Sequence, residues 1–267
     1  MKRVLSVQDL SCLGKCSLTV ALPVLSAMGC AATALPTTLL STHTAFPQPH
    51  RVSLTDSLES ICRHWQTIGA EFDAVSVGYL ADAGQVKEVQ AVLDAFPCLQ
   101  VIDPVMGDHG KLYKSLDESH IEAMKTLCRR GNVLLPNVTE AALLTGLPYR
   151  QTTDADYYRQ LLAGMAQFGA DAVVITGVTL AEDALGFIGI QNGQEFSYQA
   201  KRLGKQCHGT GDLFAAVVTG SLARGTDMQK AATLAARFVE QVLQATPSAT
   251  PFGVEFEACL PWLWQQL

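Results

Sequence analysis

The residues with the clearest capacity for chemistry form the run GTGD at residues 209–212, which an apolar stretch follows at once. Gly209 and Gly211 allow a sharp turn that aims several backbone N–H groups at one point, and a following helix would add more. Asp212, at the edge of this anion cradle, would be held ionised by the helix N-terminus and could accept a proton. These groups could transfer a phosphoryl group to a hydroxyl, or they could simply cap a helix.

The composition indicates a globular chain without general affinity for polyanions. Of 267 residues, 48% are hydrophobic and 16% charged, which excludes intrinsic disorder. The formal net charge of -6 argues against nucleic acid or an anionic membrane as a partner. We therefore expect a small-molecule ligand that is held by local dipoles and not by the overall field.

Three sequence features bear on the cellular compartment: a long uncharged segment, the N-terminus and the spacing of the cysteines. Residues 16–46 contain no Asp, Glu, Lys or Arg, but Pro23, Gly29 and Pro36 interrupt them too often for one membrane-spanning helix. The basic N-terminus meets Gln8 and Asp9 before any long apolar core, unlike a secretory signal. The eight cysteines include no CxxC pair and are expected to be reduced. These features predict a cytoplasmic, unprocessed chain.

Apolar segments of strand length alternate with amphipathic helical segments along the chain. This alternation predicts a three-layer, doubly wound α/β fold with a mostly parallel sheet and helices on both faces, in one domain of residues 1–267. Asn192-Gly193 is a strong hairpin signal, so we expect antiparallel strands at one edge. The predicted parallel strands are residues 4–7, 30–36, 72–77, 99–102, 133–135 and 172–175.

Polar residues follow these strands or their connecting loops: Asp9, His43, Tyr79, Asp103, Asn137, Thr176 and Asp212. Because the carboxyl ends of the strands in a doubly wound sheet share one edge, these residues should line a single cleft. The DPVMGD run at residues 103–108 could organise a hydrated Mg²⁺ ion or could be an ordinary turn. Glu140, in the first turn of a helix opened by Thr139, is either a partner of the helix dipole or a second magnesium carboxylate acting through water.

Six motifs together carry a family resemblance. They are DLSCLGKCSLT at 9–19, STHT at 41–44, GYL at 78–80, DPVMGDHGKLY at 103–113, PNVTE at 136–140 and GTGD at 209–212. In content and order they resemble the bacterial pyridoxal/pyridoxamine kinases of the ribokinase-like superfamily. The resemblance implies ATP-dependent phosphorylation of the 5'-hydroxymethyl group of pyridoxal, pyridoxamine or pyridoxine, with Mg²⁺ as cofactor, by a homodimer.

The same resemblance implies residue roles. Asp212 would be the catalytic base and would adjoin the substrate, while Gly209, Thr210 and Gly211 would donate backbone N–H groups to the transferred phosphoryl. Asp103 and Glu140 would lie along the ATP phosphates and, through water, their magnesium. The remaining ATP-binding residues would be Asn137, Thr176 and Gly177, and the residues that hold the pyridine ring would be Asp9, Ser11, His43, Thr44 and Tyr79.

Two other functions remain open. Residues 207–211 are also similar to the hydroxymethylpyrimidine kinases of thiamine synthesis, although those usually have cysteine at the position of Asp212. A non-catalytic sensor of B6 vitamers or nucleotide could keep the same fold, but the glycines and Asp212 are all present. A sugar kinase is disfavoured because Tyr79 and His43 suit a flat ring better than a set of hydroxyls.

Overall fold

The computed structural model describes residues 1–205, 207–247 and 250–267. Strands β1 to β5 span Arg3–Leu13, Ala31–Thr42, Arg51–Ser53, Ala74–Val77 and Leu99–Ile102. Strands β6 to β11 span Gly107–Asp108, Lys111–Leu112, Val133–Leu134, Ala172–Val178, Ala184–Gln191 and Gln194–Lys201. Helices α1 to α9 span Leu18–Ala27, Thr55–Thr67, Ala83–Ala95, Glu118–Cys128, Val138–Thr145, Ala155–Ala166, Thr210–Ala223, Met228–Ala245 and Leu260–Trp264.

A nine-stranded sheet organises the molecule, in the order β11-β10-β9-β8-β5-β4-β1-β2-β3. The six strands from β9 to β2 in that order are parallel. Strands β10 and β11 form the antiparallel hairpin predicted at Asn192-Gly193, and the short β3 adds an antiparallel strand at the other edge. The predicted sheet is therefore confirmed, with β3 as an addition.

Helices cover both faces of the sheet. Since neighbouring residues of a strand point to opposite faces, they belong to two different cores. Leu5 and Leu134 belong to a hydrophobic core with α2 to α6. The adjacent Val4 and Val133 belong to a second core with α1, α7, α8 and α9. The buried strands therefore have apolar residues at consecutive positions, as expected for a parallel sheet covered twice, and the three-layer prediction is confirmed.

The boundaries of β1 and β2 differ from the prediction. Strand β1 does not end at Gln8 and Asp9 but continues to Leu13, because it pairs with a β2 that runs on to Thr42. The register shifts between Gln8 and Leu10, so Asp9 lies at an irregularity inside the strand. Such irregularities reorient a side chain locally, and they are frequent beside active sites.

Three helical boundaries bear on the site or on the C-terminus. Helix α7 begins at Thr210, which brings the glycine-rich run into the helix start. Helix α5 begins at Val138, since Asn137 and not Thr139 is its cap. The C-terminal segment forms a 3₁₀ turn at Glu257–Cys259 followed by the short α9. Across the described residues, every helix is too short or too polar to span a bilayer.

Candidate active site

The glycine-rich run forms the tightly packed start of α7. Gly209 is the N-cap with φ at 91°, and a Cβ atom there would lie 2.4 Å from the carbonyl oxygen of Lys15. Glycine is needed at this position both for the backbone angle and for the close approach. The N–H of Leu213 makes the first helical hydrogen bond, to the Gly209 carbonyl at 3.0 Å. The amides of Thr210, Gly211 and Asp212 therefore precede the first helical hydrogen bond, an arrangement that can bind an anion.

Asp212 lies in this first turn, in an environment that tunes it as a base. Burial raises its pKa to about 6, with a further contribution from the negative charge of Asp9, while a hydrogen bond with the Ser17 backbone lowers it. A carboxyl group with this pKa is mostly ionised at neutral pH, yet it is a stronger base than an exposed aspartate. Proton acceptance at Asp212 is therefore chemically reasonable.

Ser17 links two aspartates, and the sequence did not indicate this. It precedes α1 with φ at 52°, makes no capping hydrogen bond through its side chain, and lies near enough to Asp9 to lower the pKa of that carboxyl group. A positive φ is uncommon for a residue other than glycine and is often found at functional sites. Neither the backbone angle of Ser17 nor its position beside Asp9 is visible in a local sequence pattern.

Asp9 is only 2% exposed, and burial raises its pKa. The Ser11 hydroxyl donates to Asp9 Oδ2 at 2.9 Å, which favours the ionised form. Since Asp9 also raises the pKa of Asp212, the structure brings the predicted base close to two predicted substrate residues, Asp9 and Ser11.

Asp103, at the end of β5, faces the cradle. Apart from the backbone of α7 itself and the two chain neighbours, Asp103 Oδ2 is the one atom of the described residues within 4 Å of a Cβ built on Gly211, at 3.9 Å. Burial raises the pKa of Asp103 well above its usual value, and the negative charges of Glu140 and Asp212 raise it further. Three carboxyl groups from different elements thus meet at one rim of the sheet.

Glu140 is positioned by a reciprocal capping box with Asn137. The Asn137 N–H donates to Glu140 Oε2 at 2.8 Å, and the Glu140 N–H donates to Asn137 Oδ1 at 2.9 Å. The N–H of Met106 donates to the other oxygen, Glu140 Oε1, at 3.1 Å. Burial raises the pKa of Glu140 to about 8 in spite of these hydrogen bonds. The sequence suggested a dipole partner or a site carboxylate, and the geometry permits both.

Thr176 and Gly177 lie beside Asn137 at the end of β9, which is longer than predicted and runs to Val178. Asn137 and Thr176 form an isolated parallel bridge, and the Thr176 N–H donates to the Pro136 carbonyl at 2.9 Å. Gly177 is exposed, with φ at 77°. The structure thus groups the predicted nucleotide-binding residues Asn137, Thr176 and Gly177.

Among the predicted ring-binding residues, His43 and Tyr79 are buried, whereas Thr44 is exposed. His43 is 3% exposed, and its Nε2 lies 2.9 Å from the carbonyl oxygen of Pro251. Tyr79 is buried, its hydroxyl lies 3.2 Å from Ser115 Oγ, and Asp9 is among the charges that raise its pKa. Thr44 lies in an exposed turn, and its side chain makes no hydrogen bond with the described residues. Thr44 is therefore the one predicted ring residue that the structure does not tie to the others.

Tyr113 was missed as an individual site residue, although it ends the DPVMGDHGKLY motif. The pKa of its hydroxyl is raised by burial and by nearby charges that include Glu140 and Asp103. Its ring centroid is 6.5 Å from that of Tyr79. It follows the hairpin of β6 and β7, which sequence periodicity cannot detect because each strand has only two residues.

The acidic residues can be tested for fit to magnesium. Among residues 1–205, 207–247 and 250–267, no three His, Cys, Asp or Glu side chains are arranged to hold a metal ion directly. Asp103 and Glu140 nevertheless carry oxygen ligands whose buried charges repel each other. Magnesium prefers oxygen ligands, retains water and shares carboxylates with phosphates. The pair fits an ion held partly through water and the phosphates of a nucleotide.

A doubly wound sheet with a glycine-rich helix start, a carboxylate in the first turn of that helix and two buried carboxyl groups at one rim is typical of a ribokinase-like kinase of small molecules. The model of the phosphomethylpyrimidine kinase family, Phos_pyr_kin, matches residues 21–254. The chain belongs to this family.

The proteins that are similar to the chain are named either as B6 vitamer kinases or as pyrimidine kinases. A pyridoxine/pyridoxal/pyridoxamine kinase of Bordetella avium is 32% identical over 258 residues, which cover 91% of this chain and 85% of the relative. The crystal structure of pyridoxal kinase from Lactobacillus plantarum superposes with a TM-score of 0.92 at 34% identity, covering 100% of this chain and 98% of that chain. A hydroxymethylpyrimidine/phosphomethylpyrimidine kinase of Bacillus subtilis is 33% identical over 177 residues, 65% of this chain and 64% of the relative. A structure from Bacteroides thetaiotaomicron, assigned as a phosphomethylpyrimidine kinase and solved with pyridoxal, has a TM-score of 0.93 at 32% identity, covering 98% of this chain and 95% of that chain.

Proposed function

We propose that the protein uses ATP to phosphorylate the 5'-hydroxymethyl group of a B6 vitamer: pyridoxal, pyridoxamine or pyridoxine. The observation that carries this proposal is the position of Asp212, whose pKa of about 6 suits a base, inside the N–H cradle that faces Asp103. The B6 kinases among the relatives, which align over almost the whole chain, support the choice of substrate.

In this proposal Asp212 accepts the proton of the substrate hydroxyl as its oxygen attacks the terminal phosphorus of ATP. The N–H groups of Gly209, Thr210 and Gly211 stabilise the charge on the transferred group. Phosphoryl transfer needs little covalent help from the protein, so placement of these groups before the reaction is the main contribution. The packing of Gly209 against Lys15 supplies such placement.

On the nucleotide side, Asp103 and Glu140 lie along the ATP phosphates, and Asn137 holds Glu140 in place. Magnesium, when bound, neutralises phosphate charge as transfer proceeds. Thr176 and Gly177 contact the nucleotide from the end of β9. Burial raises the pKa of Asp103 and that of Glu140, and neighbouring negative charges raise them further, which favours this assignment because a nearby cation would stabilise the ionised forms.

On the substrate side, Asp9, Ser11, His43 and Tyr79 hold the pyridine ring. They offer carboxylate, hydroxyl, imidazole and phenol groups within a buried wall, which suits a flat ring with polar substituents. Thr44 adjoins His43 in the chain and contributes from the exposed rim.

Phosphorylation of hydroxymethylpyrimidine is a second candidate function. The family description and the Bacillus subtilis relative favour it. The pyrimidine carries a similar primary alcohol on a flat ring, so the cradle and Asp212 would act in the same way. The choice between a B6 vitamer and the pyrimidine depends on the residues that contact the ring.

A substrate panel tests the proposal. ADP release is measured after pyridoxal, pyridoxamine, pyridoxine or hydroxymethylpyrimidine is added to the purified protein with Mg-ATP, and Asp212→Asn serves as the inactive control. We expect the highest kcat/KM with a B6 vitamer. A higher value with the pyrimidine would transfer the proposal to the second function, and saturable binding without turnover would indicate a sensor.

We further propose that residues 1–267 act as one kinase domain, in a homodimer in the cytoplasm. One sheet extends from Arg3 to Lys201 and the helices of both faces pack on it, which supports a single domain. The family resemblance supports the dimer. Light scattering coupled to size-exclusion chromatography tests the oligomeric state, and a mass near 28.6 kDa would contradict a dimer.

A further inference from the structure

A short segment near the C-terminus joins two parts of the site that are distant in sequence. This segment, residues 251–254, is here called the strap. The Lys15 N–H donates to the Phe252 carbonyl at 2.7 Å, and Lys15 forms a parallel bridge with Gly253. The Val254 N–H donates to the His208 carbonyl at 3.1 Å, directly before the cradle. The strap is thus bonded to the loop after β1 and to the approach to α7.

These backbones meet at van der Waals distance around one atom, the carbonyl oxygen of Lys15. A Cβ on Gly209 would lie 2.4 Å from this oxygen, and a Cβ on Gly253 would lie 2.7 Å from it. The Gly253 position is also 3.1 Å from the His208 carbonyl oxygen, and the Gly209 position is 3.2 Å from Val254 Cγ2. Since such packed contacts transmit displacement, the strap and the cradle cannot shift independently.

The other end of the strap holds His43. The Pro251 carbonyl can only accept, so the His43 Nε2 at 2.9 Å must carry the hydrogen. A neutral His43 then has an unprotonated Nδ1, which is buried and has no hydrogen-bond partner among the described residues. His43 also packs against Gly14, where an added Cβ would lie 2.5 Å from His43 Cδ2. The ring is therefore fixed in both orientation and tautomer.

We propose that the strap is a positioning element of the active site, which sets the tautomer of His43 at one end and the place of the Gly209 cradle at the other. Gly253 is its central positioning residue. The catalytic consequence rests on the function proposed above, whereas the tautomer is a property of the folded protein alone.

Gly253→Ala tests the coupling between the strap and the cradle. A side chain at Gly253 must displace the Lys15 or His208 carbonyl, and small displacements of transition-state donors are costly. We expect kcat to fall at least about tenfold while KM for ATP and for the vitamer changes less than about threefold, the pattern of an interaction used mainly in the transition state.

Gly225→Ala is the matched control. Gly225 has φ at 92°, close to the 98° of Gly253, but a Cβ there would have no described atom within 4 Å beyond its chain neighbours. Both variants therefore carry the same kind of backbone strain, and only Gly253→Ala pushes on the site. Equal kcat values for the two variants would overturn the proposal.

A second pair of variants covers the case in which Gly253→Ala does not fold. Val254→Ala removes both methyl groups of Val254, including the Cγ2 that packs near Gly209, and Val242→Ala makes the same truncation at an equally buried valine in α8. We expect Val254→Ala to lower kcat about threefold or more relative to Val242→Ala, at similar loss of stability. No difference between them would count against the strap.

The tautomer is measured separately, by ¹⁵N NMR of the histidine rings in the wild-type protein, with His43→Gln used for assignment. We expect protonation at Nε2 in the wild type and loss of this preference in Gly253→Ala. A wild-type protein without kinase activity but with this tautomer would disprove the proposed function alone. A wild type protonated at Nδ1 would overturn the strap proposal whatever the activity.

Discussion

Asp103 Oδ2 lies 3.9 Å from the position that a Cβ atom would occupy on Gly211, and no other described atom outside α7 and the two chain neighbours comes within 4 Å of that position. The end of β5 and the start of α7 thus face each other at contact distance. A phosphoryl group bound at the start of α7 would have backbone N–H groups on one side and the Asp103 carboxylate nearby. The two glycines of the run are consequently needed for different reasons.

Gly211→Ala should leave the fold intact and impair catalysis. The new methyl group would meet Asp103 at an ordinary contact distance, so we expect the free energy of unfolding to change by less than about 1 kcal/mol. Because the methyl group would project toward the transferred group, kcat should fall about tenfold or more. Urea unfolding and steady-state kinetics measure the two quantities. Gly209→Ala, which lacks both the space and a suitable φ, should lose much more stability. Normal kcat in Gly211→Ala would contradict the placement of the transferred phosphoryl group beside Gly211.

Asp212→Asn should abolish proton acceptance while preserving nucleotide binding. A general base contributes on the order of 10²- to 10⁴-fold, so kcat should fall within that range. Turnover and ADP affinity are measured for the same preparation. Asp227→Asn is a suitable control, because Asp227 caps the distant α8 and asparagine is an equally good cap. Near-normal kcat for Asp212→Asn would remove it from the role of base.

The pH profile should reflect the same carboxyl group. Burial raises the pKa of Asp212 to about 6, so falling pH protonates it and removes the base. Between about pH 7.5 and about pH 5, kcat/KM should fall about tenfold, with an apparent pKa near 6. The residual activity of Asp212→Asn should lack this acid limb, whereas His208→Gln should retain it. An acid limb that persists in Asp212→Asn would have to arise from another group.

Magnesium should stabilise the protein more at alkaline than at acidic pH. Burial raises the pKa of Glu140 from 4.5 to about 8, so the folded state holds a proton that the unfolded state has lost. The stability contribution of this group is therefore present below about pH 4.5 and is lost as the pH rises through 8. A cation favours the ionised form, so the increase in Tm from adding Mg²⁺ to the ADP complex should be larger at about pH 8.5 than at about pH 6. One kcal/mol corresponds to about 2–4 °C.

Differential scanning fluorimetry measures this effect, and the double variant Asp103→Asn/Glu140→Gln provides the control. In that variant the dependence of the magnesium shift on pH should disappear, because neither side chain can ionise. An unchanged dependence would place the ion elsewhere.

His120→Leu should make the fold less sensitive to acid. His120 is buried in α4, with no hydrogen bond from either ring nitrogen to the described residues, and burial lowers its pKa. Below about pH 6.5 the unfolded chain takes up a proton that the folded ring does not. The free energy of unfolding therefore decreases as the pH falls, by at most about 1.4 kcal/mol per pH unit. Urea unfolding at about pH 7.5 and about pH 5.5 compares this slope in the wild type and the variant. Identical slopes would show that His120 is not responsible.

Much of the architecture was predictable from local patterns. The alternating apolar segments, Asn192-Gly193 and the glycine-rich run all act through neighbours in the chain, and such preferences survive in the folded protein. This is why the parallel sheet, its antiparallel edge and the family were predicted correctly. The order of polar strand ends along the chain also pointed to one rim, by the general rule for doubly wound sheets.

What the sequence determined by itself is the set of local elements and the types of side chain at their ends. Tertiary structure alone decided that Ser17 turns to Asp9, that Tyr113 approaches the carboxyl groups and that Gly253 meets Lys15. The first depends on the backbone angle of Ser17, and the second on a hairpin of two-residue strands. The third joins residues more than two hundred positions apart in the chain. Local propensity carries no information about such pairings, because they become favourable only once the whole core is packed.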